Sequence, residues 1–391
     1  MVAMHKEIPL TELQVGMFVV CYGDGSFANP HVRFNDYIHS REQIEALAAQ
    51  GVPSVTIDPG LAKGRPSPGE PAATAHEATP ARTANREASR KLYGACLSHV
   101  TEMMTKVREG LDVDVTESFR AVDSLLEGLE RDPGNMVLLA KLHHYDDYTF
   151  RHSLNVSVLS LIFGKHLGIG GDELRRLGFA GLYHDVGKFL VPVEILNKPA
   201  RLSEREFRQM QRHSLLGYQL LTKQGGIAED ILLGVLHHHE RYDGQGYPRQ
   251  LKADEKDRFA RILSIVDVFD ALSSDRVYRK ATTPHDSIKA MFAWRNESFH
   301  PGLLEQFVRC FGVYPAGSFV RLTDQTCGVV LEARPDWPSR PLVKVSFNRK
   351  LQPQLPVLRD LSLLPPAMDG GVDIAECLDP KLLNVVLERF I

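Results

Sequence analysis

Eleven of the sixteen histidines fall between His143 and His300, interleaved with aspartates and a lysine. The tightest group is YHDVGK, Tyr183 to Lys188. On a helix, His184 and Asp185 stand about 100° apart, so one cleft could use both, with the carboxylate reaching two ions. Lys188 follows His184 by four residues and is expected on the same face one turn later, near whatever His184 binds. By itself a His-Asp pair is more often a hydrogen-bonded surface dipeptide. Four further segments shift that balance. His152 lies in TFRHSLNVSVLSL, His213 in MQRHSLLGYQLL, His238 and His239 at the end of EDILLGVLHHHE, and Asp267 in RILSIVDVFDAL. A charge inside an apolar run is costly unless paired or metal-bound. Five helices each offering an imidazole or a carboxylate argue for convergence on one site. Such donors, without thiols, suit iron, manganese or zinc better than calcium and exclude a Cys-type structural zinc site. The chemistry expected is metal-assisted hydrolysis.

The remaining candidates divide. His237 opens the histidine triplet and is expected to be a neighbour without a ligand role. His143, His144, His166, His285 and His300 lack a partner pattern and are read as structural or exposed. Glu240 could orient a ligand or end a solvated helix. Gly244 and Gly246 allow a tight turn, and Tyr247 offers a ring for base stacking or a hydroxyl for a partner. A purely structural turn fits this loop as well.

These residues need a helical scaffold, and the chain supplies one in its middle. The fold expected is mainly α: a helical catalytic core with a small α/β unit before it and a short β-rich unit after it. From Ile8 to Ile57, VGMFVV and VPSVTI read as strands flanking a helix over SREQIEALAAQG, giving a first domain over residues 1–59. Residues 60–86, rich in Pro, Ala, Thr and Gly without apolar period, read as a mobile linker. Helical periodicity then runs over 87–312. From 313 to 391 the pattern shifts to short strands, GSFVRL, GVVLEA and LVKVSF, separated by the turn-rich RPDWPSRP. A length of 391 residues accommodates several such units.

Composition narrows the function classes. Hydrophobic residues make up 43 % and charged residues 24 %, and the net charge is -3. No global field favours nucleic acid or an anionic membrane, and no basic stripe or aromatic platform points to nucleic-acid binding. The five cysteines are scattered, as free thiols in a reducing cytoplasm would be. No signal peptide opens the chain, and the longest apolar stretch, Val156 to Phe163, is far short of the ~20 residues that membrane insertion needs.

Read in order, the motifs resemble the HD-GYP branch of the HD-domain metal-dependent phosphohydrolases, over about Asp146 to Gln306. HDVGK resembles the family's His-Asp-x-Gly-Lys. VPVEILNKPARLSEREFRQMQRHSLLG resembles the segment that ends at the next His ligand. HHERYDGQGYP carries Gly246, Tyr247 and Pro248 of the naming motif, and RILSIVDVFDALSSDRVYRKA resembles the segment with the last carboxylate and a basic pair. IPLTELQVGMFVV with EQIEAL resembles the small domain of unknown function that often precedes HD-GYP modules. The resemblance implies an HD-type core and hydrolysis of cyclic di-GMP to the linear dinucleotide, and in some members on to GMP. It implies the metal ligands His152, His184, Asp185, His213, His238, His239 and Asp267. It also implies Lys188 near the scissile phosphate, with Arg276 and Arg279 on the nucleotide, where a guanidinium can grip phosphate or a guanine edge. Without the resemblance, that arginine pair reads equally as a solvated helix-end cluster. Diguanylate cyclase-type or other signalling proteins are expected as partners on the Gly-Tyr-Pro loop.

One departure bears on stoichiometry. Three-metal members carry a Glu one turn before the first His ligand, where this chain has Tyr148. Asp147 is adjacent but points about 100° away. Two divalent ions are therefore expected, iron or manganese first and zinc as the alternative, bridged by Asp185. They would acidify a shared water enough for attack on phosphorus, with Lys188 helping to neutralise the phosphoryl oxygens. The competing readings are an HD-type hydrolase of another nucleotide and a module that binds cyclic di-GMP without turnover.

Overall fold

The computed structural model describes residues 6–15, 17–22, 32–38, 41–49, 52–57, 80–112, 114–142, 148–252, 255–275, 281–295, 297–383, 385 and 387. Backbone proximity divides the chain into two units. One comprises Met1–Glu77, Phe311–Val385 and Phe390–Ile391, and the other comprises Ala78–Cys310 and Val386–Arg389.

The first unit holds two antiparallel sheets. Strands β1 (Lys6–Pro9), β2 (Phe18–Tyr22), β3 (Val32–Tyr37) and β4 (Ser54–Ile57) form a sheet in the order β1-β4-β2-β3, and helix α1 (Arg41–Ala49) precedes β4. Ile8, Val19, Val55 and Leu47 of α1 share its core. Strands β5 (Phe319–Leu322), β6 (Cys327–Glu332), β7 (Leu342–Phe347), β8 (Pro353–Asp360) and β9 (Ile374–Leu378) form the second sheet in the order β8-β7-β6-β5-β9. Its core is β-branched and aliphatic: Val320, Leu322, Val330, Val343 and Val345. The strands expected at VGMFVV, VPSVTI, GSFVRL, GVVLEA and LVKVSF are present. β8 was not anticipated, because PQLPVLRD carries two prolines and exposed Leu355. An edge position tolerates both.

The second unit is helical: α2 (Pro80–Arg108), α3 (Val115–Arg131), α4 (Pro133–Leu142), α5 (Tyr148–His166), α6 (Gly171–Tyr183), α7 (Val193–Leu196), α8 (Glu204–Gln211), α9 (His213–Gln224), α10 (Glu229–His237), α11 (Arg258–Ser273), α12 (Pro284–Ala293) and α13 (Leu303–Phe311). Helix α2 begins inside the stretch read as linker. Proline suits a first helical position, and the Ala, Arg and Glu that follow favour helix. Ends are marked by side chains. Asp114 caps α3, Ser203 and Glu206 form a capping box on α8, Asp257 caps α11, and Thr283 caps α12 ahead of Pro284.

Helix α5 is the axis of this unit. From His152 to Leu161 every residue is buried. It packs against α2, α4, α6 and α11, while α10 packs against α6, α9 and α11. Leu154, Val158, Leu177, Phe179, Leu182, Val235, Leu263, Val266 and Phe269 fill the space between these helices. A helix enclosed on all sides can carry a polar side chain only where other elements supply a partner. That constraint makes His152 and its surroundings informative.

Candidate metal centre

All seven side chains expected as ligands meet in one buried cluster. His152 comes from the first turns of α5, His184 and Asp185 from the turn after α6, and His213 from the start of α9. His238 and His239 follow α10, and Asp267 is mid-α11. His184 and Asp185 were expected on a helix. Instead α6 ends at Tyr183, and Asp185 leads into a 3-10 turn, Val186–Leu190. Lys188 consequently reaches Asp185, three residues back, and its ammonium donates to Oδ2 at 2.5 Å.

Asp185 is the hub. Its Oδ2 lies 3.3 Å from His184 Nε2 and 3.5 Å from His152 Nε2. Its Oδ1 lies 3.3 Å from His213 Nε2 and 3.8 Å from His238 Nε2. Asp267 closes the first side, with Oδ1 3.0 Å from His152 Nε2, and Oδ2 is 3.8 Å from His239 Nδ1. Three donor sets emerge, each with atoms within 4.8 Å of one another: Asp185, His213, His238 and His239; His152, His184 and Asp185; and His184, His238 and Asp267. Asp185 belongs to two of them.

The ring orientations are set from outside the cluster. His184 Nδ1–H donates to Gly181 O at 2.8 Å, His213 Nδ1–H to Met210 O at 2.7 Å, and His238 Nδ1–H to Val235 O at 2.7 Å. Those carbonyls lie in the last turns of α6, α8 and α10, past the end of the regular i to i+4 ladder. Each bond fixes the tautomer, leaving the Nε2 lone pair aimed into the cluster. Burial pushes His238 down to about 4, so its ring is neutral. Burial likewise holds His239 well below its usual range. Burial opposes the charge on Asp185, but the Lys188 ammonium beside it outweighs burial and keeps the carboxyl ionised.

Divalent cations fit this donor set. His213 Nε2 and His238 Nε2 face each other at 3.3 Å, although both rings spend their Nδ1 proton on a carbonyl. Two lone pairs at that distance need a positive charge between them. His184 Nε2 and Asp185 Oδ1 are buried and make no hydrogen bond. Orphaned acceptors in a buried site carry a cost of about 1–3 kcal/mol each, which a cation would remove.

Two glycines permit the geometry. At Gly187 a Cβ would lie 1.9 Å from His213 O and 2.5 Å from Gly217 N, so only glycine lets the 3-10 turn meet α9. At Gly246 a Cβ would lie 2.3 Å from Arg241 N and 2.5 Å from His239 O, so the loop folds back on the histidine pair. Gly187→Ala is expected to push His213 away from Asp185 and to lower stability by about 1–3 kcal/mol. Thermal melting together with bound-metal analysis checks it, and native values for both would refute the close-approach argument.

The loop places Tyr247 on the cluster, its ring centroid 4.7 Å from that of His239. Burial, with Asp185 and Asp267, holds the phenol protonated. Glu240 neither orients a ligand nor ends a solvated helix. It is buried and accepts from Arg249 N at 2.6 Å and Leu251 N at 3.0 Å, anchoring the far side of the loop. His237 turns to Asp257, Nδ1 to Oδ2 3.4 Å, outside the cluster. His166 faces Gln306 on the unit's periphery. Arg276, Arg279, His143, His144, Asp146 and Asp147 lie outside the described residues, as does the side chain of Tyr148.

Asp270 was not singled out from the sequence. It stands one turn beyond Asp267 in the same apolar run, and the same cost argument applies to it. Its Oδ2 accepts from His152 Nδ1 at 2.8 Å.

A helical unit that gathers imidazoles and carboxylates around an adjacent His-Asp pair defines an HD-domain protein. Residues 136–303 match the family model described as HD domain, and residues 5–118 match a domain of unknown function, DUF3391. The chain is 33 % identical over 366 residues to a cyclic di-GMP phosphodiesterase of Pseudomonas aeruginosa, covering 90 % of this chain and 88 % of that one. It is 35 % identical over 192 residues to a cyclic di-GMP phosphodiesterase response regulator of Xanthomonas campestris pv. campestris, covering 49 % and 51 %. A 3′3′-cGAMP-specific phosphodiesterase of Vibrio cholerae is 38 % identical over 147 residues, covering 37 % and 33 %. The chain belongs to the HD-GYP branch of the HD-domain phosphohydrolases. Members of this superfamily bind divalent metals, and the buried His/Asp cluster could hold them.

Proposed function

We propose that this chain hydrolyses a phosphodiester bond of cyclic di-GMP, using two divalent cations held by His152, His184, Asp185, His213, His238, His239 and Asp267. The observation that carries this reading is the sharing of Asp185 between two donor sets. When bound, the ions would supply the charge that acidifies a water and neutralises phosphoryl oxygens. Asp185, Asp267 and the oriented imidazoles would hold the ions. Lys188, beside Asp185 and only 20 % exposed, brings a donor to the same face for the phosphate oxygens. Tyr247 offers its ring at the mouth for base stacking, and Arg276 and Arg279 are assigned the nucleotide's phosphate or guanine edge. The complete donor set favours turnover over a binding-only module. The product is the linear dinucleotide, with GMP the product of a second cut.

Iron or manganese suits this mixed imidazole and carboxylate set, with zinc as the alternative. No helix among the described residues is long and apolar enough to cross a membrane. Free Cys21, Cys96, Cys310, Cys327 and Cys377 accord with a cytoplasmic protein. Pro248, Arg249 and Gln250 are exposed beyond Tyr247, which leaves that loop accessible to diguanylate cyclase-type or other signalling proteins. Residues 1–59, 60–86, 87–312 and 313–391 are proposed as N-terminal domain, linker, catalytic domain and C-terminal extension, with the first turns of α2, from Pro80, taken out of the linker.

The test is anaerobic purification, elemental analysis, and turnover of cyclic di-GMP against 3′3′-cGAMP with manganese or iron supplied. Two ions per chain are expected, Tyr148 providing no third carboxylate, with faster cleavage of cyclic di-GMP. Preferential cleavage of 3′3′-cGAMP would overturn the substrate assignment, and three full ions would overturn the reading of Tyr148.

A further inference from the structure

His152 is held differently from its companions. His184, His213 and His238 sit beside helix C-termini and donate Nδ1–H to carbonyls of those last turns, past the regular i to i+4 ladder. His152 lies inside α5, where the helix consumes its own carbonyls. A side chain from another helix must take its Nδ1 proton, and Asp270 of α11 does so at 2.8 Å.

Asp270 is itself fully buried and is braced by two more side chains. Lys141 of α4 donates from Nζ to Asp270 Oδ1 at 2.8 Å and to Ser273 Oγ at 2.9 Å, and it stands 4.2 Å over the Phe269 ring. Asn155 Nδ2 donates to the same Oδ1 at 3.1 Å. Tyr93 of α2 donates from its hydroxyl to Asn155 Oδ1 at 2.5 Å. Tyr93, Lys141, Asn155 and Asp270 therefore form one polar network that, among the described residues, meets the cluster at His152.

We propose that Asp270 and Lys141 are positioning residues that lock the His152 ring toward one of the two ion positions, and that Tyr93 ties α2 to the same lock through Asn155. This rests on the two-ion reading above. Asp270→Asn converts one acceptor into a donor. Its amide must then face either His152 Nδ1–H or the Lys141 and Asn155 donors, setting donor against donor. Outer partners of this kind typically contribute about 10–100-fold to metal affinity. The His152 side should weaken by that factor, while the side built from His213, His238 and His239 should not.

The experiment is manganese titration of the full chain by equilibrium dialysis, resolving two affinity classes in the unmodified protein, Asp270→Asn and Tyr93→Phe. Asp270→Asn is expected to weaken one class about 10–100-fold and leave the other unchanged. Tyr93→Phe, which deletes a single oxygen, should weaken the same class several-fold, and it carries the test if Asp270→Asn does not fold. A merely structural lesion would weaken both classes or neither, and either outcome overturns the proposal. Fewer than two ions in the unmodified chain would instead overturn the two-ion reading.

Discussion

Asp185→Ala is expected to strip both ions and to lower turnover by more than the about 10²–10³-fold lost with a single stabilising donor. The reason lies in how its two oxygens are divided. Oδ2 faces His152 and His184, and Oδ1 faces His213 and His238. No other side chain in the cluster joins those two pairs through separate oxygens. Removing it also leaves Lys188 without its carboxylate partner. His184→Ala should be milder in metal content, because the set formed by Asp185, His213, His238 and His239 does not include it. Elemental analysis of the two variants, paired with chromatographic assay of cyclic di-GMP, separates these outcomes. Retention of one full ion by Asp185→Ala would mean that the carboxylate does not bridge.

Lys188→Ala should behave in the opposite way, keeping both ions while the catalytic rate falls about 10²–10³-fold. Lys188 is a cation, so it cannot be a ligand, and its removal takes positive charge away from the ion positions. Its ammonium is nevertheless held against Asp185, at the edge of the cluster where phosphoryl oxygens would carry developing charge. Lys188→Arg should recover part of the rate by restoring the charge with a bulkier head. Unchanged turnover in Lys188→Ala would remove the residue from the chemistry. Loss of metal would show that it acts by holding Asp185 in place.

Much of the site was legible because helices make ionisable residues conspicuous. Asp267 stood out in an apolar run, and His152, His213 and the His238–His239 pair each interrupted one, so seven donors could be named before any distance was known. The mainly helical core between two β-containing stretches was legible for a similar reason, since periodicity is a local property. Local pattern misled where chain direction changes. The YHDVGK segment reads as continuous helix, but α6 stops at Tyr183 because the 3-10 turn must approach His213, which Gly187 allows.

Other relations belong to tertiary structure alone. Lys141 and Asp270 are 129 residues apart, and nothing near Lys141 announces a buried partner. Glu240 sits beside the histidine pair yet serves the loop, because Arg249 N and Leu251 N come back to it. Met1–Glu77 and Phe311–Val385 belong to one unit, although the helical unit separates them in the chain. Residue type and spacing determine which groups are too costly to bury without a partner. Which partner each one finds depends on how helices distant in sequence pack, since a hydrogen bond or a shared carboxylate is decided at about 3 Å.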